Sequence, residues 1–364
     1  MSGPTRPNAR NYRSAVRVIG GTAATIALFL FAVQLLGAAT TAAAPVLRRV
    51  LSRIVVSDSS ALGLSWLAAY TLGNGSVVAA LGLSLHNAGL VSVSQLLLMV
   101  AGSRLGAAAI VVFIGVLDFL QKRRYSLQEG VSMGLLTFVL THSIYLPVTA
   151  IGYLLIPWVA EQAQIGGRPP AVGGDVLTLV PALCGRIIEL IGPAPAFVLA
   201  VGLLFGSLKL FDSLLEGIQT SVLRGYVFRH FKRTWVSFGF GLVITGLTTS
   251  VAFSLGVIVP IYNREYITRD ELIPYVLGAN IGTLFDALLV AFLLPSPVGA
   301  TTVVLLLGLA TALTAGALVG IQWYSRAIKA VDDRLLEDRR AFVVVVAALI
   351  LAPVLLLLVP IAIG

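Results

Sequence analysis

Apolar stretches near 18–36, 61–83, 88–101, 104–120, 130–158, 176–191, 194–211, 235–261, 271–294, 298–324 and 341–363 take up most of this chain. A helix needs about 20 apolar residues to cross the hydrocarbon core of a bilayer, while about 10–14 suit a re-entrant piece. In hydrocarbon every backbone N–H and C=O must be satisfied internally. The chain therefore reads as an all-α polytopic membrane protein with roughly eight to ten crossings. Stretches 88–101 and 176–191 read as half-spans or hairpin arms, and 130–158 as a long span that tilts or breaks near Pro147.

Composition removes the competing classes. Of 364 residues, 58% are hydrophobic and 11% charged, against about 25% charged in a soluble domain. A soluble enzyme and a disordered regulator are both excluded. The lone Cys184 makes neither an intramolecular disulfide nor a thiolate metal site. The net charge of +9 sits in short basic runs beside apolar spans, so the partner it points to is anionic lipid headgroups, not nucleic acid. The run 18–36 precedes a small-residue tract, Ala38–Ala44, but is long for a signal peptide and is read as an uncleaved first helix.

Three segments look amphipathic: Pro45–Ser57 with Arg48, Arg49 and Arg53; Asp212–Arg233; and Arg326–Arg340. Each suits a helix lying in the interface plane, or for the third an ordinary polar connection. Positive-inside reasoning puts the N-terminal tail and Lys122-Arg123-Arg124 in the cytoplasm and the acidic 161–175 outside; the Arg48–Arg53 cluster opposes it if the first helix spans.

The chain also resembles itself. Phe31, Thr71, Ser76 and Gly82 align with Phe205, Thr245, Ser250 and Gly256 at one constant offset, so that TLGNGSVVAALG faces TGLTTSVAFSLG. After a two-residue lengthening, Gly102 and Gly106 of GSRLGA match Gly278 and Gly282 of GANIGT. Each unit has an apolar helix, a basic amphipathic stretch, a span broken at Thr, Ser and Gly, a hairpin and a Gly-x-x-x-Gly element. Interrupted hydrophobic segments at matching places in two halves point to a transport site near the midplane. The bland reading is that the hydroxyls bond back within helices and the glycines pack.

The second unit, from TGLTTSVAFSLG to GANIGTLFDALLVA, resembles the type II sodium/phosphate cotransporter family, whose repeats read roughly T-A-L-x-Q-S-S-S-A-T, then a hairpin, then G-A-N-I-G-T. IALFLFAVQLL and GLLFGSLKLFDSLLEG are similar to the family's F-L-F-G-x-K-L-M helix, and LTHSIYL to its A-H-x-x-F-N stretch. The resemblance covers most of 20–295. It implies two inverted repeats whose re-entrant Q-S-S-S hairpins jointly hold sodium and phosphate. Thr249 and Ser250 fall on the family's Gln and first Ser, as do Gly75 and Ser76 in the first unit. Both glutamines are thus replaced, the next serines are Val251-Ala252 and Val77-Val78, and Arg104 stands where the first unit would carry Asn.

An ionisable residue at a helix centre costs about 2.5–3.5 kcal/mol on insertion scales, so each such residue needs a use. Arg104 and Asp286 occupy the pseudo-symmetric elements and are expected to face each other across the two units. Arg104 would bind an anion bidentately, and Asp286 would supply a sodium ligand or a coupling proton; a purely structural ion pair is the other reading. Asp118, Lys209 and Asp212 read as span ends, Arg186 and Glu189 as a local pair, and His142 as a hydrogen-bonded structural histidine. His86 falls at a hairpin turn, and neither it nor His230 suggests a metal site.

The candidate substrate- and ion-binding residues are Thr71, Asn74, Ser76, Arg104, Thr245, Thr248, Thr249, Ser250, Asn280, Thr283 and Asp286. The expected organisation is a basic cytoplasmic tail (1–17), membrane unit 1 (18–120), connecting segments (121–192) with a polar loop at 160–175, unit 2 (193–294) and C-terminal membrane helices (295–364). The expected function is sodium-coupled symport of phosphate or a related inorganic anion by a multi-pass plasma-membrane protein. No cofactor beyond sodium as coupling ion is expected, and no catalytic group converges. A non-transporting sensor or scaffold, a proton-coupled carrier of another small anion, and homo-oligomerisation stay open.

Overall fold

A computed structural model of the chain describes residues 9–122, 127–165, 179–216, 233–248, 254, 258 and 267–363. Every element among them is helical. In chain order they are α1 (Ala9–Ala42), α2 (Ala44–Ile54), α3 (Asp58–Leu72), α4 (Gly75–Asn87), α5 (Val93–Lys122), α6 (Leu127–Ile165) and α7 (Leu179–Ile191). There follow α8 (Pro193–Glu216), α9 (Thr234–Thr248), α10 (Arg269–Gly282), α11 (Leu284–Leu293), α12 (Pro297–Val319), α13 (Ile321–Glu337) and α14 (Arg339–Ile363). Six helical segments among the described residues, α10 and α11 counted together, are long and apolar enough to cross a membrane, which fits a multi-pass membrane protein. Residues 1–8 of the N-terminal tail, 166–175 of the polar loop and 217–232 of Asp212–Arg233 lie outside the described residues, while 9–17 begin α1 and 160–165 end α6.

Local chemistry sets the helix ends that matter for the centre of the molecule. Ser57 caps α3 in a reciprocal box with Ser60, the two backbone-to-side-chain bonds being 2.9 and 3.1 Å. The helix stops at Gly73, whose φ of 63° is the left-handed conformation that a residue without Cβ adopts freely. One residue later the Asn74 side chain accepts the Ser76 amide at 2.8 Å and starts α4. The sequence break at Thr71–Ser76 is therefore a helix–turn–helix break. The matching break of the second unit, Thr245–Ser250, begins where α9 ends at Thr248 and runs on outside the described residues, and a further interruption falls at Thr283, between α10 and α11.

Packing between the helices relies on missing side chains, because in lipid close backbone approach takes over from the hydrophobic effect as the associating force. A Cβ on Gly106 of α5 would lie 2.6 Å from both the Ala69 Cβ and the Trp66 carbonyl oxygen of α3. One on Gly282 of α10 would lie 2.8 Å from the Gly246 amide and the Leu242 carbonyl oxygen of α9. In the first half, then, the Gly-x-x-x-Gly element of α5 packs on α3, and in the second that of α10 packs on α9. Helix α1 runs against α8, α5 against α6, and α4 and α11 meet each other.

One expectation for the spans is corrected, and for another one of two alternatives is removed. Most of stretch 88–101, from Val93, and stretch 104–120 form one continuous helix, α5, of 30 residues. The polar interruption Ser103-Arg104 does not end it, because Ser103 donates to the Val100 carbonyl at 2.7 Å and Arg104 finds partners on another helix. Helix α6 runs unbroken for 39 residues through Pro147 and Pro157. Membrane helices tolerate proline where neighbours satisfy freed groups.

Helix α2 is amphipathic: Arg48, Arg49 and Arg53 are exposed, while Leu47 and Leu51 pack on Leu85, Val91 and Met99. The segment from Arg326 is also helical, as part of α13. Arg269 at the start of α10 sits 3.4 Å from the buried Asp332 and 2.6 Å from Asp333 of that helix, and Lys329 reaches Asp270 at 2.8 Å. Burial pushes the Asp332 carboxyl up to about 6, with Arg269 opposing and Asp333 adding to the rise.

Candidate functional site

Helix α5 carries Arg104 into the interior, where its side chain is 3% exposed. The break at Thr283 receives it: Arg104 Nη1 donates to the Thr283 carbonyl oxygen at 2.7 Å. One turn further, Asp286 of α11 is 1% exposed, and its Oδ1 lies 3.4 Å from Arg104 Nη2. The Ala287 amide donates to the same carboxylate. Two opposite charges from the two halves thus meet inside the molecule, and Ser76, at the start of α4, lies beside the Asp286 carboxyl.

Asn280 organises the other side. Its carbonyl oxygen accepts the Tyr145 hydroxyl at 2.8 Å and the Thr283 hydroxyl at 2.7 Å. Its side-chain amide meets the Thr141 hydroxyl at 3.0 Å, and that hydroxyl also reaches the Thr137 carbonyl at 2.9 Å. Whichever way the amide is turned, one of its two polar atoms is left without a protein partner. Helix α6 therefore holds α10 through two hydroxyls while Arg104 holds the α10–α11 break.

Buried polar groups are ordinarily hydrogen-bonded, and exceptions need an explanation. Here they cluster. Arg104 Nε and Nη2, Asn280 Nδ2 and Asp286 Oδ2 all lack a hydrogen-bond partner. The guanidinium offers planar donors suited to an oxyanion, and the carboxylate offers an oxygen suited to a hard cation.

The structure brings together Ser76, Arg104, Asn280, Thr283 and Asp286. It commits other candidates elsewhere. Thr71 is exposed and donates to the Leu67 carbonyl at 3.0 Å. The Asn74 side chain caps α4. Thr245 donates to Ser254 at 2.7 Å, beside the Tyr275 hydroxyl. Thr248 is buried near the end of α9, and Thr249 and Ser250 lie outside the described residues. Tyr145 is the site residue that sequence reasoning missed, although it stands three residues after His142 in LTHSIYL. His142 itself packs between Trp66 and Phe138, with Nδ1 2.9 Å from the Phe138 carbonyl. His86 bonds the Val91 carbonyl across the α4–α5 turn at 3.0 Å. Arg186 and Glu189 are both exposed on α7 and form no ion pair with each other.

Residues 203–352 match the Na+/Pi-cotransporter family. The matched residues include GANIGT and Asp286; Arg104 and the first unit lie outside them. Comparison with curated proteins and with solved structures finds no match.

Proposed function

We propose that the chain is a secondary active transporter of the cell membrane that carries phosphate, or a closely related inorganic oxyanion, with sodium through a site between α4–α5 and α10–α11. The observation that carries this reading is the cluster of buried polar atoms without partners around the Arg104–Asp286 pair. Arg104 Nε and Nη2 bind the anion, while Asp286 Oδ2 and the Ser76 hydroxyl serve the sodium ion. Binding both ions together keeps the centre near neutrality, which favours coupled over single occupancy. Asn280 and Thr283 position Arg104 through the α10–α11 break.

The two Gly-x-x-x-Gly packings support reading the halves as duplicated units, inverted in the membrane and rocking about this centre to give alternating access. The pair compensates for the glutamines that the hairpins lack. A non-transporting relative is the second reading, favoured by those same missing glutamines.

Gradient-driven uptake of radiolabelled phosphate into proteoliposomes tests the proposal. Uptake that needs an inward sodium gradient supports it. Uptake driven by protons alone replaces sodium with a proton on Asp286, and no uptake of phosphate, arsenate or sulfate under any gradient favours the non-transporting reading.

A further inference from the structure

Asp286 also borders a cavity. A cavity of about 320 Å³ lies between α1, α8, α9 and α11, with Asp286 among its lining residues. Ligand pockets run from about 300 to 1,000 Å³, so it has the size of a small-molecule site. Its rim is formed by Ile26, Leu247, Phe285 and Leu289, each more than a third exposed although apolar. On helices of a membrane protein such side chains face acyl chains, so the cavity opens to the lipid and not to either aqueous face.

The lining is apolar except at three side chains. Thr25 donates its hydroxyl to the Gly21 carbonyl at 2.8 Å and Ser207 to the Leu204 carbonyl at 2.7 Å, each within its own helix. Asp286 is the third, and its Oδ2 accepts no hydrogen bond although the residue is 2% exposed. An apolar cavity bordered by a residue whose carboxylate keeps one oxygen without a hydrogen bond suits a ligand with an apolar tail and a single cationic, hydrogen-donating head.

We infer that this lateral cavity binds a protonated alkylamine that enters from the bilayer, its chain among the α1, α8 and α11 side chains and its ammonium on Asp286. An ammonium there competes with Arg104 for the carboxylate. Binding is a property of the cavity and of Asp286, and it holds whether or not the chain transports phosphate.

The test is equilibrium binding of tritiated octylamine at neutral pH to the purified protein in lipid nanodiscs, against empty nanodiscs. The expected result is saturable binding at one site, with octanol and octyltrimethylammonium competing about tenfold less well, since neither offers a charged N–H to Asp286. Ser207→Leu and Thr25→Leu fill the cavity away from the ion pair, and each is expected to abolish saturable binding in protein that still elutes as a single folded species. Asp286→Asn is expected to weaken octylamine to the level of octanol. Competition by octanol equal to that of octylamine, or unchanged binding in both leucine variants, overturns the inference. Binding that persists here while phosphate uptake is absent contradicts the transport reading alone.

Discussion

The Tyr145 hydroxyl donates to the main-chain carbonyl oxygen of Asn280 at 2.8 Å, although the two residues lie 135 positions apart in sequence. This bond ties the middle of α6 to the segment that carries GANIGT, one turn before the Thr283 carbonyl that holds Arg104. The Asn280 carbonyl keeps a second donor in the Thr283 hydroxyl. Tyr145→Phe is therefore expected to cost only about 1 kcal/mol of stability. Its larger effect falls on positioning, and phosphate uptake is expected to drop several-fold while the thermal midpoint in detergent changes little. A midpoint loss that matches the loss of uptake would make Tyr145 a purely structural residue.

The Arg104–Asp286 pair makes a sharper distinction. Removing one partner of a buried pair leaves an uncompensated charge and costs about 3–5 kcal/mol. Arg104→Met and Asp286→Leu are each expected to lower folded yield strongly, and the double variant to recover much of it, because apolar replacement of both is close to neutral. The exchanged pair, Arg104→Asp with Asp286→Arg, is expected to fold and not to transport. Full uptake by the exchanged protein would show that the pair only locks the two halves.

Asp332 predicts a pH dependence outside the membrane. Its folded-state value of about 6 lies above its ordinary 3.8, so the native state holds the proton more tightly than the unfolded chain does. The associated stability is complete below about pH 4 and is lost as pH rises through about 6. Relative to Asp332→Asn, the wild-type thermal midpoint is expected to fall between about pH 4 and 6 and to level off above. A constant difference over that range would mean that Arg269 keeps the carboxylate fully compensated.

Glycine substitutions separate packing from propensity. A Cβ on Gly278 overlaps the Phe238 carbonyl oxygen, and one on Gly241 overlaps the Tyr275 carbonyl oxygen, whereas Gly308 and Gly316 face open space. Gly278→Ala and Gly241→Ala are expected to prevent α9 and α10 from closing and to abolish folded protein. Gly308→Ala and Gly316→Ala are expected to be neutral or stabilising by up to about 1 kcal/mol, the helix-propensity difference. Normal expression and melting of Gly278→Ala would contradict the packing.

Much of this was legible in the sequence. Length and hydropathy gave the class, and the self-alignment paired Arg104 with the element that bears Asn280 and Asp286 before any contact was known. The Gly73–Asn74 break was visible as a cluster of small polar residues, but its use was not. Asn74 read as a ligand because Asn suits ions and helix caps equally, and only the bonds to Ser76 and Val77 separate the two. The continuity of α5 was hidden for a related reason. A charge inside an apolar run looks like an end until its partners, here the Thr283 carbonyl and Asp286, are known from another segment. Tyr145 was hidden because a single tyrosine in a long span carries no periodic signal.

Equilibrium binding of radiolabelled phosphate to the purified protein, in sodium and in potassium, tests the central claim most directly when wild type is compared with Arg104→Lys and Asp286→Asn. The account predicts one phosphate per chain in sodium and little in potassium. It predicts weak binding by Arg104→Lys, since an ammonium cannot hold an oxyanion bidentately, and loss of the sodium preference in Asp286→Asn. Equal binding in sodium and potassium by wild type, or wild-type affinity in Arg104→Lys, would contradict it.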